Sequence, residues 1–208
     1  MTKFALAALA TASVTSFATA GVVGFLGDTT LEGGWDAFED MVGVEMVEIY
    51  DGGSAFAEVS SIDVPEFGGS LDFDASHSLR QIGSGWATWS HGYTGEVFYN
   101  NGLLATGYDL NMDGVYAFDA YIEPNPFSVQ TFTITAYGSD GGMDTVVRDA
   151  DGSSGAAHFG FYSTGETLTR IEIEGSSDWA IGEWRVGTPT PGALALLGLA
   201  GLTARRRR

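Results

Sequence analysis

The chain has 208 residues, with 27 acidic residues against nine basic ones and no cysteine. A net charge of −18 repels the phosphate backbone of nucleic acids, so we expect no nucleic-acid partner. The absence of cysteine excludes disulfides, thiol catalysis and cysteine-ligated metals, and an apolar content of 44% is enough for a folded core.

Residues 1–20 have the three parts of a secretory signal peptide. A lysine near the start is followed by an almost wholly apolar or small stretch at 4–14, and Ala18 and Ala20 form an A-x-A cleavage site. The apolar stretch is too short to span a bilayer, which favours removal of the segment over anchoring. The alternative is a buried N-terminal strand or helix.

Residues 21–187 are one domain by length. This segment contains all 27 acidic residues of the chain but only four arginines, which gives it a net charge of −23. We expect such a field to repel anionic lipid headgroups, to attract cations and to keep an exported domain soluble.

Residues 35–50 are compatible with two structures. Apolar side chains at Trp35, Phe38 and Met41, and further along the segment, recur at helical spacing. Gly43 interrupts this pattern, and residues 44–50 would serve equally well as a strand. Both interpretations stay open.

The rest of the domain shows apolar residues alternating with polar ones, broken by Asp-Gly and Asn-Gly turns, which predicts β-strands. In residues 168–174, for example, Ile171 and Ile173 face one side and the charged residues face the other. The predicted strands are 55–60, 70–74, 86–90, 96–100, 115–122, 129–137, 145–148, 158–162, 167–174 and 179–186. Short strands without intervening helices predict an all-β, antiparallel two-sheet sandwich of jelly-roll type, with a barrel as the alternative.

Trp86, Trp89 and Tyr93 belong to the densest aromatic patch of the chain. Exposed aromatic rings on a sheet stack against sugar rings in carbohydrate-binding modules, so these three residues are candidates for binding a polysaccharide. Because Trp86 and Trp89 are three residues apart, they point to opposite faces of an extended strand. Core packing is therefore the favoured alternative for at least one of them.

Asp109, Asn111 and Asp113 place oxygen ligands at alternate positions, as at the opening of a calcium-binding loop. Ala120 stands where the twelfth position of an EF-hand loop needs a bidentate glutamate. A hairpin turn accounts for the same residues. We therefore expect no cofactor, with Ca²⁺ at this loop as the alternative.

No pattern in the sequence indicates catalysis. The three histidines have no metal-binding spacing, and no G-x-S-x-G motif occurs. Glu172 and Glu174 form a carboxylate pair on one strand face, as in some sandwich glycosidases, but a solvated outer face explains them too. We expect that the protein is not an enzyme.

The composition changes abruptly at the C-terminal tail, residues 188–208. Pro189, Thr190 and Pro191 form a stiff break, because proline disfavours both helix and sheet pairing there. An apolar stretch at 193–204 follows, and the chain ends with Arg205, Arg206, Arg207 and Arg208. The positive-inside rule keeps such arginines cytoplasmic, which predicts a transient transmembrane helix in the inner membrane with the β-domain outside.

The order of proline break, apolar helix and arginine cluster in residues 189–208 resembles the PEP-CTERM sorting signal of exosortase substrates. Thr190 stands where the family has glutamate, and the apolar stretch is shorter than the ~20 residues that span a bilayer. The resemblance implies recognition by an exosortase-type processing enzyme, cleavage near the proline motif, and delivery to the cell surface or extracellular polysaccharide matrix. Segments within 85–184 also resemble uncharacterised β-sandwich ectodomains that often precede such tails.

Together these features predict an exported protein of the cell surface or extracellular matrix with a non-catalytic structural or adhesive role. The first alternative is a calcium-assisted carbohydrate-binding module for envelope polysaccharide. The second alternative is a glycan-active hydrolase.

Overall fold

The computed structural model describes residues 21–188, which form thirteen strands, one α-helix and two short helical turns. The strands are β1 Gly21–Phe25, β2 Glu45–Glu48, β3 Glu58–Val64, β4 Gly69–Ile82, β5 Gly85–Trp86, β6 Glu96–Tyr99, β7 Ala105–Asn111, β8 Ala117–Pro124, β9 Val129–Gly138, β10 Met143–Asp151, β11 Ala157–Thr164, β12 Leu168–Gly175 and β13 Trp179–Thr188. Helix α1 spans Ala37–Val42 and follows a π-helical turn at Glu32–Asp36, and a 3₁₀ turn lies at Pro65–Phe67. No helix within this part of the chain is long and apolar enough to cross a membrane.

All thirteen strands belong to one hydrogen-bonded sheet. Its order is β1-β11-β8-β13-β6-β4-β7-β12-β9-β10, with β2 added to β13 and both β3 and β5 added to β4. The pairings are antiparallel except for the two-residue strand β5. The two ends of the sheet approach each other, since the Gly24 amide of β1 donates to the Asp144 carboxylate of β10 at 2.8 Å. The sheet is therefore nearly barrel-shaped.

The predicted all-β, antiparallel class is confirmed, whereas the predicted division into two packed sheets is not, because the strands follow one continuous path. The predicted signal peptide with Ala18 and Ala20, and the sorting motif at 189–191 with the terminal arginines, lie outside the described residues.

The core lies inside the curved sheet and is centred on Trp184 of β13, which is fully buried. The ring of Trp184 lies 4.9–6.1 Å from the rings of Tyr108, Phe73, Phe98 and Phe118, measured between centroids. Four different strands supply these aromatic neighbours. Large aromatic side chains of this kind provide much of the apolar area that a core buries.

Strands β8 and β13 are buried on both faces. Their inner faces contribute to the core, and their outer faces, together with that of β11, lie beneath α1, the turn before it and the loop at 87–95. We call this outer surface the covered face, and its polar members are Asp119, Tyr121, Glu123, His158, Glu183 and Arg185. Buried polar side chains are more informative about function than buried apolar ones, since their burial must be compensated by partners.

The segment at 35–50 contains both of the structures that the sequence left open. Helix α1 ends because Gly43 adopts a left-handed conformation with φ of 63°, as a helix C-terminus favours. Strand β2 follows directly and pairs with β13. The helical spacing therefore holds before Gly43 and the strand pattern after it.

The strand predicted at 86–90 is wrong, since only Trp86 of this segment is in a strand and residues 87–90 form a loop. Strands β1 and β7 were not predicted. Strand β7 includes two of the three proposed calcium ligands.

Helix α1 contacts the covered face through Phe38, which is fully buried, and a glycine of β11 makes room for its ring. A Cβ added at Gly160 would lie 2.8 Å from Phe38 and 3.0 Å from Asp119. We expect Gly160→Ala to lower the free energy of unfolding by about 1–3 kcal/mol, the usual cost of overpacking. Urea denaturation measures this.

Gly21→Ala is the control for this substitution, because no atom of residues 21–188 other than its chain neighbours lies within 4 Å of the added Cβ and the residue is also in a strand. Equal stability of the two variants would contradict close packing of α1 against β11.

Candidate functional site

A bulge in β13 creates the centre of the site. Gly182 is opposite Tyr121 of β8 and Arg185 is opposite Asp119, so β13 has one extra residue between these pairs. A one-residue shift moves every following side chain to the other face of the sheet. Glu183 consequently lies on the covered face, with φ of 52°. Positive φ is uncommon for a residue other than glycine and is enriched at functional sites.

The Glu183 carboxylate has two donors from the loop at 87–95. His91 Nε2 lies 2.8 Å from Oε1, and Trp89 Nε1 donates to Oε2 at 2.5 Å. The Glu183 side chain is only 1% exposed. Burial would lower the pKa of His91, but the hydrogen bond and the charge of Glu183 outweigh it and raise that pKa. The two residues form a hydrogen-bonded pair, which is an ion pair when His91 is protonated, and this pair holds the loop against β13.

A pocket of about 270 Å³ opens beside this pair. Its lining consists of Leu31, Trp35, Glu48, Tyr50, Gly92, Tyr93 and the Glu183–His91 pair. We call it the aromatic–carboxylate pocket. It lies between the turn before α1, the end of β2 and the loop at 87–95, so three separate chain segments form it.

Tyr50 and Glu48 form the open side of the pocket. The Tyr50 side chain is 58% exposed, and its hydroxyl donates to Glu48. Burial raises the pKa of Glu48, the hydrogen bond from Tyr50 opposes this, and the negative charge of Glu183 adds to it. Burial together with Glu48 raises the pKa of Tyr50 to about 12, so its hydroxyl remains a neutral donor.

Trp35 is positioned by Arg185, which is buried behind the pocket. The Arg185 guanidinium lies 4.4 Å from the centroid of the Trp35 ring, a cation–π geometry. It also donates to Asp119 at 2.6 and 3.0 Å and to Glu39 of α1 at 2.8 Å. His158 lies 2.9 Å from the same aspartate. This network joins α1 and the pocket wall to the sheet.

A second buried carboxyl, Glu123, holds the start of the same loop. Trp86 Nε1 donates to its Oε2 at 3.0 Å. Thr88 Oγ1 lies within hydrogen-bond distance of both Glu123 and the Gly152 carbonyl oxygen. A hydroxyl has only one hydrogen, so Thr88 shares its donation between these two acceptors. Burial raises the pKa of Glu123 to about 7, although the hydrogen bonds from Thr88 and Trp86 lower it.

Of the three aromatic residues proposed for polysaccharide binding, Trp86 ends β5, whereas Trp89 and Tyr93 lie on the loop at 87–95, and all three are partly buried. Trp86 and Trp89 are bound to Glu123 and Glu183, whereas Tyr93 lines the pocket and donates to the Glu96 carbonyl oxygen at 3.0 Å. The prediction that Trp86 and Trp89 point to opposite faces of one strand does not apply, because residues 87–89 lie in a loop.

Sequence reasoning missed the pocket residues Trp35, Glu48, Tyr50 and Glu183 as functional candidates. Tyr50 was considered only as the end of a possible strand at 44–50, and this pattern gives no signal of a binding role. No local signal marks Glu183, because its position depends on the register between β13 and β8.

The proposed calcium ligands have other partners. Asp109 accepts from Arg170 at 2.6 Å, and the Asn111 amide donates to Asp72 at 2.7 Å. Asp113 lies in the turn after β7. Among residues 21–188, no group of three or more histidine, aspartate or glutamate side chains is arranged to hold a metal ion. Calcium binding here stays a prediction.

Glu172, the carboxylate considered for hydrolysis, belongs to a network on the outer surface of the sheet. It accepts from the Tyr137 hydroxyl at 2.7 Å and from Arg170 Nε at 2.9 Å. These hydrogen bonds lower the pKa of Glu172. A carboxylate held in this way is stabilised as an anion and is a poor proton donor.

Compared with known proteins, the chain matches no family model, and no curated protein is significantly similar to it. The aromatic–carboxylate pocket combines aromatic rings with hydrogen-bonding carboxylates on a sheet scaffold. Pockets of this composition suit polar ligands that have an apolar face.

The raised pKa of Glu123 makes stability depend on pH. Because the folded state binds this proton more tightly than the unfolded state, the stabilisation is present below pH 4.5 and is lost as pH rises through about 7. We expect the free energy of unfolding to fall by roughly 2–3 kcal/mol over this range from this group. Glu123→Gln, which is neutral at every pH, removes this part of the dependence.

Chemical denaturation at several pH values measures the effect, with the exposed Glu174→Gln as control. A Glu123→Gln protein with the wild-type pH dependence would show that folding does not raise the pKa of this carboxyl.

Proposed function

We propose that the protein is exported to the cell surface or extracellular matrix and has a non-catalytic, adhesive role in which the aromatic–carboxylate pocket binds glycan. Export is supported by the signal-like residues 1–20 and the PEP-CTERM-like tail at 188–208. Transient membrane anchoring and cleavage by an exosortase-type enzyme belong to the same proposal, as does the finer description of the domain as a jelly-roll sandwich.

One observation carries the binding proposal: an exposed aromatic ring stands next to a carboxylate in a pocket built on a rigid sheet. Tyr50 offers a flat apolar surface on which the C–H face of a sugar ring packs. Glu48 beside it accepts hydrogen bonds from sugar hydroxyls. The bulge and the Glu183–His91 pair hold the opposite wall, which limits the entropy lost on binding.

The same geometry favours binding over hydrolysis. Both oxygens of Glu183 already have donors, and the side chain is almost inaccessible. Glu172 is held in ion pairs on another surface. A calcium-assisted mode has less support than direct binding, because the charge of Asp109 is already compensated by Arg170.

Substitution of the exposed ring tests glycan binding. We expect Tyr50→Ala to weaken binding to immobilised polysaccharides about tenfold, since an aromatic contact of about 1–1.5 kcal/mol is lost. A panel of neutral, amino and acidic polysaccharides with binding measured by biolayer interferometry provides the readout.

Phe127→Ala is the matched control, because Phe127 is 67% exposed and lies outside this pocket. Equal losses in the two variants would indicate nonspecific contact, and no binding to any member of the panel would contradict the proposed function.

Mass spectrometry of the protein from cells and medium tests export and sorting. The expected mature chain begins at Gly21 and ends near Pro191, because the first cleavage follows the A-x-A site and the second lies near the proline motif. A secreted product that still ends in Arg208 would contradict processing of the tail. A product that still begins at Met1 would contradict signal cleavage.

A further inference from the structure

The lining of the aromatic–carboxylate pocket carries more negative than positive charge. Glu183 is not available to a ligand, because its side chain is only 1% exposed and its two oxygens already have Trp89 and His91 as partners. Among residues 21–188, the side chain that hydrogen-bonds to Glu48 is Tyr50, whose hydroxyl is neutral. Arg185 lies behind the pocket, but its charge is compensated by Asp119 and by a glutamate of α1. Glu48 is therefore the carboxylate available to a ligand.

The aromatic rings of the pocket suit a cation as well as a sugar face. The face of an aromatic ring is electron-rich and attracts an ammonium or guanidinium group. Trp35 already demonstrates this with the Arg185 guanidinium, 4.4 Å from its centroid. Tyr50 offers a further ring on the open side of the pocket, and the partly buried Tyr93 belongs to the same lining.

The negative net charge of the whole domain also favours a cationic ligand. Residues 21–187 carry a net charge of −23. Two of their four arginines are in ion pairs with several carboxylates, Arg170 with three and Arg185 with two. An anionic ligand approaching the pocket is repelled at long range, whereas a cationic ligand is attracted.

We propose that the aromatic–carboxylate pocket selects glycans that carry a protonated amino group, such as de-N-acetylated hexosamine units, over neutral and acidic glycans. This rests on the proposed function and names its ligand class. The ammonium group donates a charge-assisted hydrogen bond to Glu48 and lies against the tyrosine rings, while the sugar ring packs on Tyr50.

Neutral and acidic glycans cannot form the ion pair that an amino glycan forms with Glu48. An N-acetylated sugar has the same ring and the same hydroxyls but carries no charge, so it binds without the ion pair to Glu48. A uronic acid places a carboxylate next to Glu48 and is repelled by it. Charge thus separates the three classes, although all three present an apolar ring face.

Isothermal titration of the mature chain with three probes tests this selection near neutral pH. The probes are glucosamine oligomers, the N-acetylated oligomers of the same length, and oligogalacturonate. We expect glucosamine oligomers to bind at least about tenfold more tightly than the N-acetylated ones, and oligogalacturonate to bind most weakly. Added salt is expected to reduce the preference for glucosamine.

Glu48→Gln tests the residue that supplies the selectivity. This variant keeps the acceptor for Tyr50 but loses the charge, so the affinities for glucosamine and N-acetylglucosamine oligomers are expected to converge. Glu45→Gln is the matched control, because it removes an exposed carboxylate of the same strand outside the pocket and is expected to keep the preference. Thermal melting verifies that both variants fold, and Tyr50→Leu provides a second pocket variant if Glu48→Gln does not.

The outcomes separate the two proposals. Equal affinity of the wild type for charged and N-acetylated oligomers would overturn the selection and leave glycan binding intact. No binding of any probe would contradict the proposed function as well. An unchanged preference in Glu48→Gln, or an equal loss in Glu45→Gln, would overturn the role of the pocket carboxylate.

Discussion

One extra residue in β13 determines which side chains of this strand form the core and which form the site. Without the bulge, the alternation that places Ile181 in the core would also place Glu183 and Arg185 there. Burying either charge in an apolar interior costs several kcal/mol. With the bulge, Trp184 and Val186 occupy the core instead, and both charged residues lie on the covered face. The backbone of Glu183, with φ of 52°, is strained. The hydrogen bonds that its side chain makes with Trp89 and His91 offset this strain.

The charged residues on the covered face connect the helical segment to the sheet. Asp119 is fully buried, and Arg185 and His158 both bind to it. Buried ion pairs of this kind add little net stability, but removing one partner leaves an uncompensated charge. Because Arg185 also contacts Trp35 and Glu39, the pair specifies where the segment around α1 lies. The wall of the pocket is therefore positioned by these electrostatic contacts together with the packing of Phe38.

Two buried carboxylates hold the loop at 87–95, one through the indole of Trp89 within the loop and one through the indole of Trp86 just before it. The partners of Trp86 and Trp89 lie 37 and 94 residues further along the chain. The high density of aromatic residues in the sequence indicates this segment as a candidate binding region, and Tyr93 does line the pocket. The same density makes the segment resemble a strand, since aromatic residues are common in sheets. The error at 86–90 thus has a tertiary cause, because the indoles bind carboxylates of distant strands that no local pattern reveals.

The sequence by itself determined the all-β antiparallel class, the acidic charge of the domain and the absence of disulfides. Period-two alternation is a local property, so strands such as β9 and most of β13 can be predicted from their own residues. Only the tertiary structure decided the near closure of the sheet and the burial of β8 on both faces. It also decided that the alternation of inward and outward side chains in β13 reverses at Glu183. Each of these depends on register between strands that are distant in the chain, and register is set by packing that no single strand contains. The pocket, built from three separate segments, exists only once that register is in place.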